Sequence, residues 1–153
     1  TLRELVDEYC GGLPEGHELY GYLPGGASGG ILPASMGDIP LDFDTLQPYG
    51  CFIGSAAVVV LSDKDTASDA ARNMMRFFHH ESCGQCVPCR VGTVRQLELL
   101  QRLRNRTPLG DRAQEMALFA ELAQAMRDAS ICGLGQTASA AVASGLALFD
   151  PFR

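Results

Sequence analysis

Three cysteines within seven residues constrain this chain more than any other feature of its sequence. Cys83, Cys86 and Cys89 form a C-x2-C-x2-C array, and this spacing in a loop or tight turn lets three sulfurs point at one centre. A 4Fe-4S cubane is held by four thiolates, and the array supplies three of them. The fourth ligand must therefore come from another part of the chain.

Cys132 is the strongest candidate for this fourth ligand. It lies in a glycine-rich segment, residues 130–135, that we predict to be a loop between the third and fourth of four helices. In an up-down-up-down bundle, the loop after the first helix and the loop after the third lie at the same end. The sequence therefore predicts one 4Fe-4S cluster held by Cys83, Cys86, Cys89 and Cys132.

The residues between the cysteines suit such a site. Gly84 removes side-chain bulk and permits a positive φ, and Pro88 stiffens the turn and gives up an N–H group. Cys89 and Arg90 are predicted to open a helix, whose positive dipole end favours thiolates and an anionic cluster. Four residues are expected to flank the cluster without binding iron: Ser82, Gly84, Arg90 and Gly133.

Zinc is the main alternative, because four cysteines also make a closed tetrahedral structural site. Zinc sites usually draw on two C-x2-C pairs, or on cysteines with a spaced histidine pair, and this array has neither form. His79 and His80 precede the array and could bind a metal, although the simpler interpretation is that they end a helix. A thioredoxin-like dithiol would need a βαβ context, which is missing here.

The two remaining cysteines, Cys10 and Cys51, have no partner at ligand spacing. We expect both to be buried as small apolar side chains. Six cysteines in 153 residues, three of them clustered, fit a metal site in a reducing compartment better than a disulfide framework. With no secretory signal at the start of the chain, we expect a cytoplasmic protein.

Charge and hydropathy exclude two classes of partner. A formal net charge of −6, with basic residues interspersed among acids, opposes binding to phosphate backbones, so no nucleic-acid partner is expected. The longest apolar run, residues 53–61, is interrupted by Gly54 and Ser55 and is far shorter than the roughly 20 residues of a membrane-spanning helix. We expect no direct membrane insertion.

The texture of the sequence changes near residue 64 and indicates an α+β fold. Before it, glycines and prolines separate short apolar segments. We predict a helix over 1–9, capped by Thr1 with Glu4. We also predict a small mixed sheet with strands at 18–23, 30–34 and 56–61. After it, apolar residues recur three and four apart. This spacing predicts a four-helix bundle, with helices over 65–79, 91–103, 111–129 and 137–149.

At the cysteine array the sequence resembles a known family, the flavin- and NADH-binding subunits of respiratory complex I and of NAD-dependent formate dehydrogenases and NAD-linked hydrogenases. Residues 80–90 with Gly92 and Thr93, and residues 130–135, are similar to the family's cluster-binding helical domain. Residues 22–28 and 41–44 are similar to its soluble-ligand-binding β-grasp domain. The sequence near Val91 and in residues 135–137 resembles the formate dehydrogenase and hydrogenase members more than complex I.

The resemblance implies a ubiquitin-like β-grasp domain over residues 1–64 and a four-helix 4Fe-4S domain over residues 65–153. It further implies that the cluster exchanges electrons with FMN that NADH reduces. The family's glycine-rich nucleotide-binding domain has no counterpart here, because no G-x-G-x-x-G stands between a strand and a helix. FMN and NAD are therefore expected only through a domain absent from this chain, and Thr1 with the 150–153 ending favours a fragment.

The function expected from these features is electron relay within a multisubunit NAD-linked oxidoreductase, by a chain that is not catalytic on its own. Other subunits or domains of the complex are the expected partners. Two other functions stay open at this point: a structural zinc scaffold, and a partner-binding module that acts through the β-grasp half.

Overall fold

The computed structural model describes residues 1–149. Residues 150–153, with which the predicted helical domain ends, lie outside the described residues. The chain divides into two compact units. The first holds residues 1–71 together with 140–149, and the second holds residues 72–139.

The first unit begins with a helical segment, as predicted. The α-helix α1, Leu2–Glu4, continues as a π-helix over Leu5–Tyr9. The N–H of Glu4 donates to the Thr1 hydroxyl, and the Glu4 side chain bonds back to the backbone of Thr1, which completes the predicted capping box. The wider π-helical turn had no signal in the sequence.

A three-stranded sheet follows. Its strands are β1, Leu19–Leu23, β2, Leu32–Pro33, and β3, Val59–Ser62, in the order β2-β1-β3. The three predicted strands are confirmed, but the sheet is antiparallel throughout and not mixed. The short connection from β1 to β2 requires the antiparallel pairing of these two strands, because a parallel pair needs a crossover of a dozen or more residues. Two 3₁₀ turns, Ala34–Met36 and Gln47–Tyr49, precede β3.

The last described helix, α6, Ala140–Leu148, packs against β2 within this first unit. The buried backbone N–H of Ile31 donates to the Ser144 hydroxyl over 2.8 Å, and that hydroxyl donates to the carbonyl oxygen of Ala140. Leu148 packs against the apolar core. The predicted four-helix bundle, in which this segment is the fourth helix, is not confirmed.

The apolar core of the first unit includes buried residues from the strands and one of the two isolated cysteines. Its buried members are Leu2, Val6, Tyr22, Leu32, Leu46 and Cys51. Burial raises the pKa of the Cys51 thiol to about 11, so the thiol stays protonated as an apolar residue, and the prediction for Cys51 is confirmed. The prediction for Cys10 is wrong, because this cysteine is exposed. It lies at the C-terminal end of the π-helix, outside the apolar core.

The second unit is helical. Its elements are α2, Ala67–Glu81, which begins in the first unit, then α3, Val87–Asn105, α4, Arg112–Ala129, and α5, Gly133–Thr137. α3 packs against α4, and α5 packs against both. The first three predicted helices are confirmed with shifted bounds, and the predicted 137–149 helix is replaced by α5 and α6. No helix within residues 1–149 is long and apolar enough to cross a membrane.

A buried ion pair joins α3 to α4. The Arg102 guanidinium donates to both carboxylate oxygens of Glu115, over 2.6 and 2.8 Å. The N–H of Leu109, in the connection between the helices, donates to the same carboxylate over 2.8 Å. The Glu115 side chain is fully buried and that of Arg102 is 22% exposed. This bidentate pair therefore fixes the α3–α4 turn.

Replacing Glu115 by Gln is expected to lower the free energy of unfolding at neutral pH by about 2–3 kcal/mol, since it leaves a partly buried guanidinium without its charge partner. Arg102 lowers the pKa of Glu115 below its ordinary value of 4.5. A carboxylate with a lowered folded-state pKa contributes stability above its unfolded-state pKa and loses it as the pH falls through the folded-state value. The difference between wild type and E115Q is therefore expected to shrink below about pH 4.5.

Urea unfolding followed by far-UV circular dichroism, repeated across pH, measures this difference. The matched control is Glu98→Gln, which removes an exposed carboxylate from the Arg95 pair at 2.8 Å and is expected to change stability by less than about 1 kcal/mol. Equal stability of E115Q and E98Q at neutral pH would contradict a stabilising role for the buried pair.

Candidate metal centre

Two cysteines of the array stand at the start of α3. Cys86 is the residue before the helix, with extended backbone angles, and Cys89 is its third residue. The helix begins at Val87, two residues before the predicted opening at Cys89 and four before the predicted 91–103 span, because Pro88 occupies its first turn, where a missing N–H costs no helical hydrogen bond. Cys89 is therefore the one cysteine of the array inside a helix, and Cys86 directly precedes it, so both lie at the positive end of α3.

The turn between Cys83 and Cys86 depends on Gly84. Its φ of 78° lies in the left-handed region, as expected for this glycine, and a side chain there would be strained. The N–H of Gly84 donates to the Ser82 hydroxyl over 3.4 Å, and the Ser82 oxygen stands 3.3 Å from the Cys89 sulfur. Since the Ser82 oxygen already accepts from Gly84, its own proton is available to the Cys89 sulfur.

Cys132 reaches the same place from the end of α4. It directly precedes α5, and Ser130 is the residue that ends α4. α3 and α4 are brought together near this end by Gly92, where an added methyl group would overlap the Met126 side chain. The start of α3 and the end of α4 are thereby held side by side.

All four predicted cysteines line one cavity of about 200 Å³. The remaining lining residues are Glu81, Ser82, Gly84, Gln85 and Leu134. Cys83 and Cys132 are exposed, Cys86 is intermediate and Cys89 is buried. The cavity therefore has one dry side and one side open to solvent.

The thiol of Cys86 stands among donors that favour its ionised form. Its pKa is lowered, mainly by a backbone hydrogen bond from Ile131 and further by the backbone at Cys89 and the Ser130 hydroxyl. A thiolate is the form that binds metals and clusters. The environment of Cys86 is thus suited to a ligand.

Two of the four residues expected to flank the cluster line the cavity, and two do not. Ser82 and Gly84 belong to the lining. Arg90 lies against Gly84, whose added Cβ would stand 2.6 Å from the guanidinium. Gly133 has open space around its Cα, so nothing in its surroundings gives it a role at the site.

The two histidines end α2, in agreement with the simpler interpretation of the sequence. His79 and His80 lie in the last turn of that helix, both exposed, with ring centroids 5.8 Å apart. Neither is among the residues that line the cavity.

Sequence reasoning missed Ser130 and Gly135. Ser130 is 5% exposed, and its hydroxyl is the one buried side-chain oxygen or nitrogen within residues 1–149 that has no hydrogen-bond partner. An added methyl at Gly135 would overlap Ser130 and would lie 2.8 Å from the Cβ of Cys89. The glycine spacing after Cys132 was the only available signal, because a serine beside a motif has none of its own.

A cluster and a single ion make different demands on four cysteines. A tetrahedral zinc ion needs all its sulfurs within about 2.3 Å of one point, whereas a 4Fe-4S cubane takes one thiolate at each of four irons. The four cysteines that line the cavity supply the number and the kind of donors that a cubane requires.

A cavity lined by four cysteines is the kind of site that can hold an iron–sulfur cluster. Residues 69–152, which include all four, match the family described as NADH-ubiquinone oxidoreductase-F iron-sulfur binding region. The chain belongs to this family, as its resemblance at the cysteine array implied.

Curated relatives cover most of this chain. It is 35% identical over 152 residues, 98% of its length, to the mitochondrial NADH dehydrogenase [ubiquinone] flavoprotein 1 of Dictyostelium discoideum. It is 41% identical over 103 residues to an NADH-quinone oxidoreductase subunit of Rhizobium meliloti, and 34% identical over 137 residues to an NADP-reducing hydrogenase subunit of Solidesulfovibrio fructosivorans. The Rhizobium match covers 67% of this chain, and the Solidesulfovibrio match covers 90% of it.

A solved structure shares the fold. An NAD+-reducing NiFe-hydrogenase in the H2-reduced state matches 97% of this chain with a TM-score of 0.79 and 30% identity. The matched part is 24% of that hydrogenase chain. The curated relatives are likewise covered only to 31%, 24% and 27% of their lengths, so this chain spans about a quarter to a third of them.

The close approach of α3 and α4 gives a testable coupling. Gly92→Ala is expected to destabilise the protein by about 1–2 kcal/mol, because overpacking against Met126 outweighs the gain of up to about 1 kcal/mol in helix propensity. In a Met126→Ala background the added methyl finds space, and the same substitution is expected to be stabilising. Urea unfolding of the four variants gives the coupling energy.

Gly133→Ala is the matched control, since this helical glycine has no neighbour within 4 Å of an added Cβ. It is expected to be neutral or stabilising in both backgrounds. An equal effect of Gly92→Ala with and without the Met126 side chain would show that the two helices do not depend on this contact.

Proposed function

We propose that this chain is an electron-relay module of an NAD-linked oxidoreductase, and that Cys83, Cys86, Cys89 and Cys132 hold one 4Fe-4S cluster. The observation that carries the proposal is the single cavity lined by all four cysteines inside the family's iron–sulfur binding region. When bound, the cluster supplies a one-electron carrier between a flavin site and further redox centres.

The chain's own groups prepare the site for negative charge. The first turn of α3 directs backbone N–H groups and its positive dipole end toward Cys86 and Cys89. Hydrogen bonds involving Ile131 and Ser82 reach the same two sulfurs. The burial of Cys89 keeps water from one side of the cavity, which strengthens these interactions because the local dielectric constant is low.

A structural zinc site is the competing proposal for the same cysteines. Zinc sites usually draw on two C-x2-C pairs, whereas this chain has three clustered cysteines and one distant cysteine within the family's iron–sulfur binding region, which argues against zinc. Metal analysis of anaerobically purified protein distinguishes the two: one zinc and no sulfide per chain is incompatible with electron relay.

The rest of the oxidoreductase belongs to the proposal as well. We place the FMN and NAD sites in a domain absent from this chain, since the chain spans only about a quarter to a third of relatives that include an NADH dehydrogenase flavoprotein. The proposed partners are other subunits or domains of a multisubunit cytoplasmic complex linked to formate, hydrogen or quinone. A hydrogenase subunit and an NADH-quinone oxidoreductase subunit among the relatives support the last two.

For the domain organisation we propose a β-grasp domain over residues 1–64 and a four-helix domain over residues 65–153, as the family resemblance implies. The antiparallel sheet supports the first, and α2 to α5 support the second. Limited proteolysis of the full chain is the test. A stable fragment from near residue 65 to the C-terminus supports these boundaries. A stable fragment confined to residues 72–139 would contradict them and would support a boundary that leaves α6 in the domain of the sheet.

Anaerobic reconstitution of the full chain is expected to give about four irons and four sulfides per chain, with an EPR signal in the reduced state. Cys132→Ser is expected to lose that stoichiometry or alter the signal, because it removes a ligand. Cys10→Ser is the matched control, since Cys10 is an exposed cysteine of the first unit. A wild-type signal with normal stoichiometry in the Cys132 variant would remove Cys132 from the ligand set.

A further inference from the structure

We propose that the Ser130 hydroxyl donates a hydrogen bond to the Cys86 sulfur when the cluster is bound, and that this bond raises the cluster's reduction potential. The inference rests on the proposed function and goes beyond it, because it assigns a tuning role to a residue that binds no iron.

The first argument is the state of the Ser130 side chain. Its backbone is fully used: the N–H donates to the Met126 carbonyl over 3.1 Å, and the carbonyl accepts from the Gln136 side chain over 3.0 Å. The hydroxyl alone has no partner, although the residue is 5% exposed. A buried hydroxyl without a partner is destabilising, so an acceptor that the chain alone does not supply would stabilise it.

The second argument is the position of that hydroxyl. Gly135 leaves room for the Ser130 side chain, and the same missing side chain lets this segment approach Cys89 at the start of α3. Ser130 already lowers the pKa of the Cys86 thiol without forming a hydrogen bond of normal geometry. Cys86 is the acceptor that we assign to this hydroxyl, because its sulfur gains negative charge when it becomes a thiolate ligand.

The third argument is the contrast with Ser82. That hydroxyl already stands 3.3 Å from the Cys89 sulfur and accepts from the N–H of Gly84, so its bonds are complete in the chain alone. Of these two serines, Ser130 is the one whose hydroxyl has no partner in the chain alone.

The consequence for the cluster follows from electrostatics. Reduction adds one electron, and the added negative charge spreads onto the ligand sulfurs. A hydroxyl donor strengthens its bond to the more negative sulfur, so it stabilises the reduced state more than the oxidised one. Hydrogen bonds to sulfur are among the protein's means of setting cluster potentials.

The test uses the full chain reconstituted anaerobically, with Ser130→Ala and Ser130→Gly, which remove the hydroxyl and add no atom. In both variants the midpoint potential from an EPR-monitored redox titration is expected to shift to a more negative value. The iron–sulfur(cysteine) stretching bands in the resonance Raman spectrum are expected to shift upward, since a sulfur that accepts no hydrogen bond binds iron more tightly. The apo Ser130→Ala chain is expected to be no less stable than wild type, because the lost hydroxyl has no partner there.

Thr137→Val is the matched control. Its hydroxyl donates to the Gly133 carbonyl over 2.7 Å and is exposed, so its loss is expected to leave both the potential and the spectrum unchanged. An unchanged potential in both Ser130 variants would overturn the inference while leaving the proposed function intact. The inference would also be overturned if neither variant assembled the cluster while both apo chains stayed as stable as wild type. The hydroxyl would then be needed for cluster assembly and not for setting the potential. Failure of the wild-type chain to bind iron and sulfide would instead overturn the proposed function.

Discussion

The contact between Gly92 and Met126 is the constraint on which the candidate site depends. A glycine on α3 lets the buried Met126 side chain of α4 lie directly against the helix backbone, three residues beyond Cys89. The Arg102–Glu115 pair fixes the two helices a second time, about 15 Å farther along α3. With both points fixed, the start of α3 and the end of α4 meet, and residues more than forty positions apart in the sequence share one cavity.

The cavity combines two environments that an electron carrier needs. Around Cys86 and Cys89, backbone N–H groups and the Ser82 hydroxyl supply positive polarity, which stabilises a thiolate. Around Cys83 and Cys132 the side chains are exposed, which leaves that side available to solvent or to another protein surface. The dry side favours a defined potential, and the open side allows an electron to enter or leave over a short distance.

Local features of this architecture could be predicted from the sequence, and long-range ones could not. The Thr1 capping box, the left-handed Gly84 and the helices α2, α3 and α4 follow from residue types at fixed spacings. The early start of α3 was missed because Pro88 suits both a turn and a first helical turn. The packing of α6 could not be predicted, since small apolar residues surround that helix and mark no single buried face. The unpaired hydroxyl of Ser130 is a property of packing alone.

The division of the chain into units has a consequence for how it folds as it is synthesised. Residues 72–139 form the second unit as one continuous stretch, whereas the first unit needs both residues 1–71 and α6. Until Ser144 has emerged from the ribosome, the buried amide of Ile31 lacks its acceptor. The N-terminal part of a chain usually folds first during translation. Here the order is inverted, because the cysteine-bearing unit can finish folding before α6, the last helix of the first unit, has been synthesised.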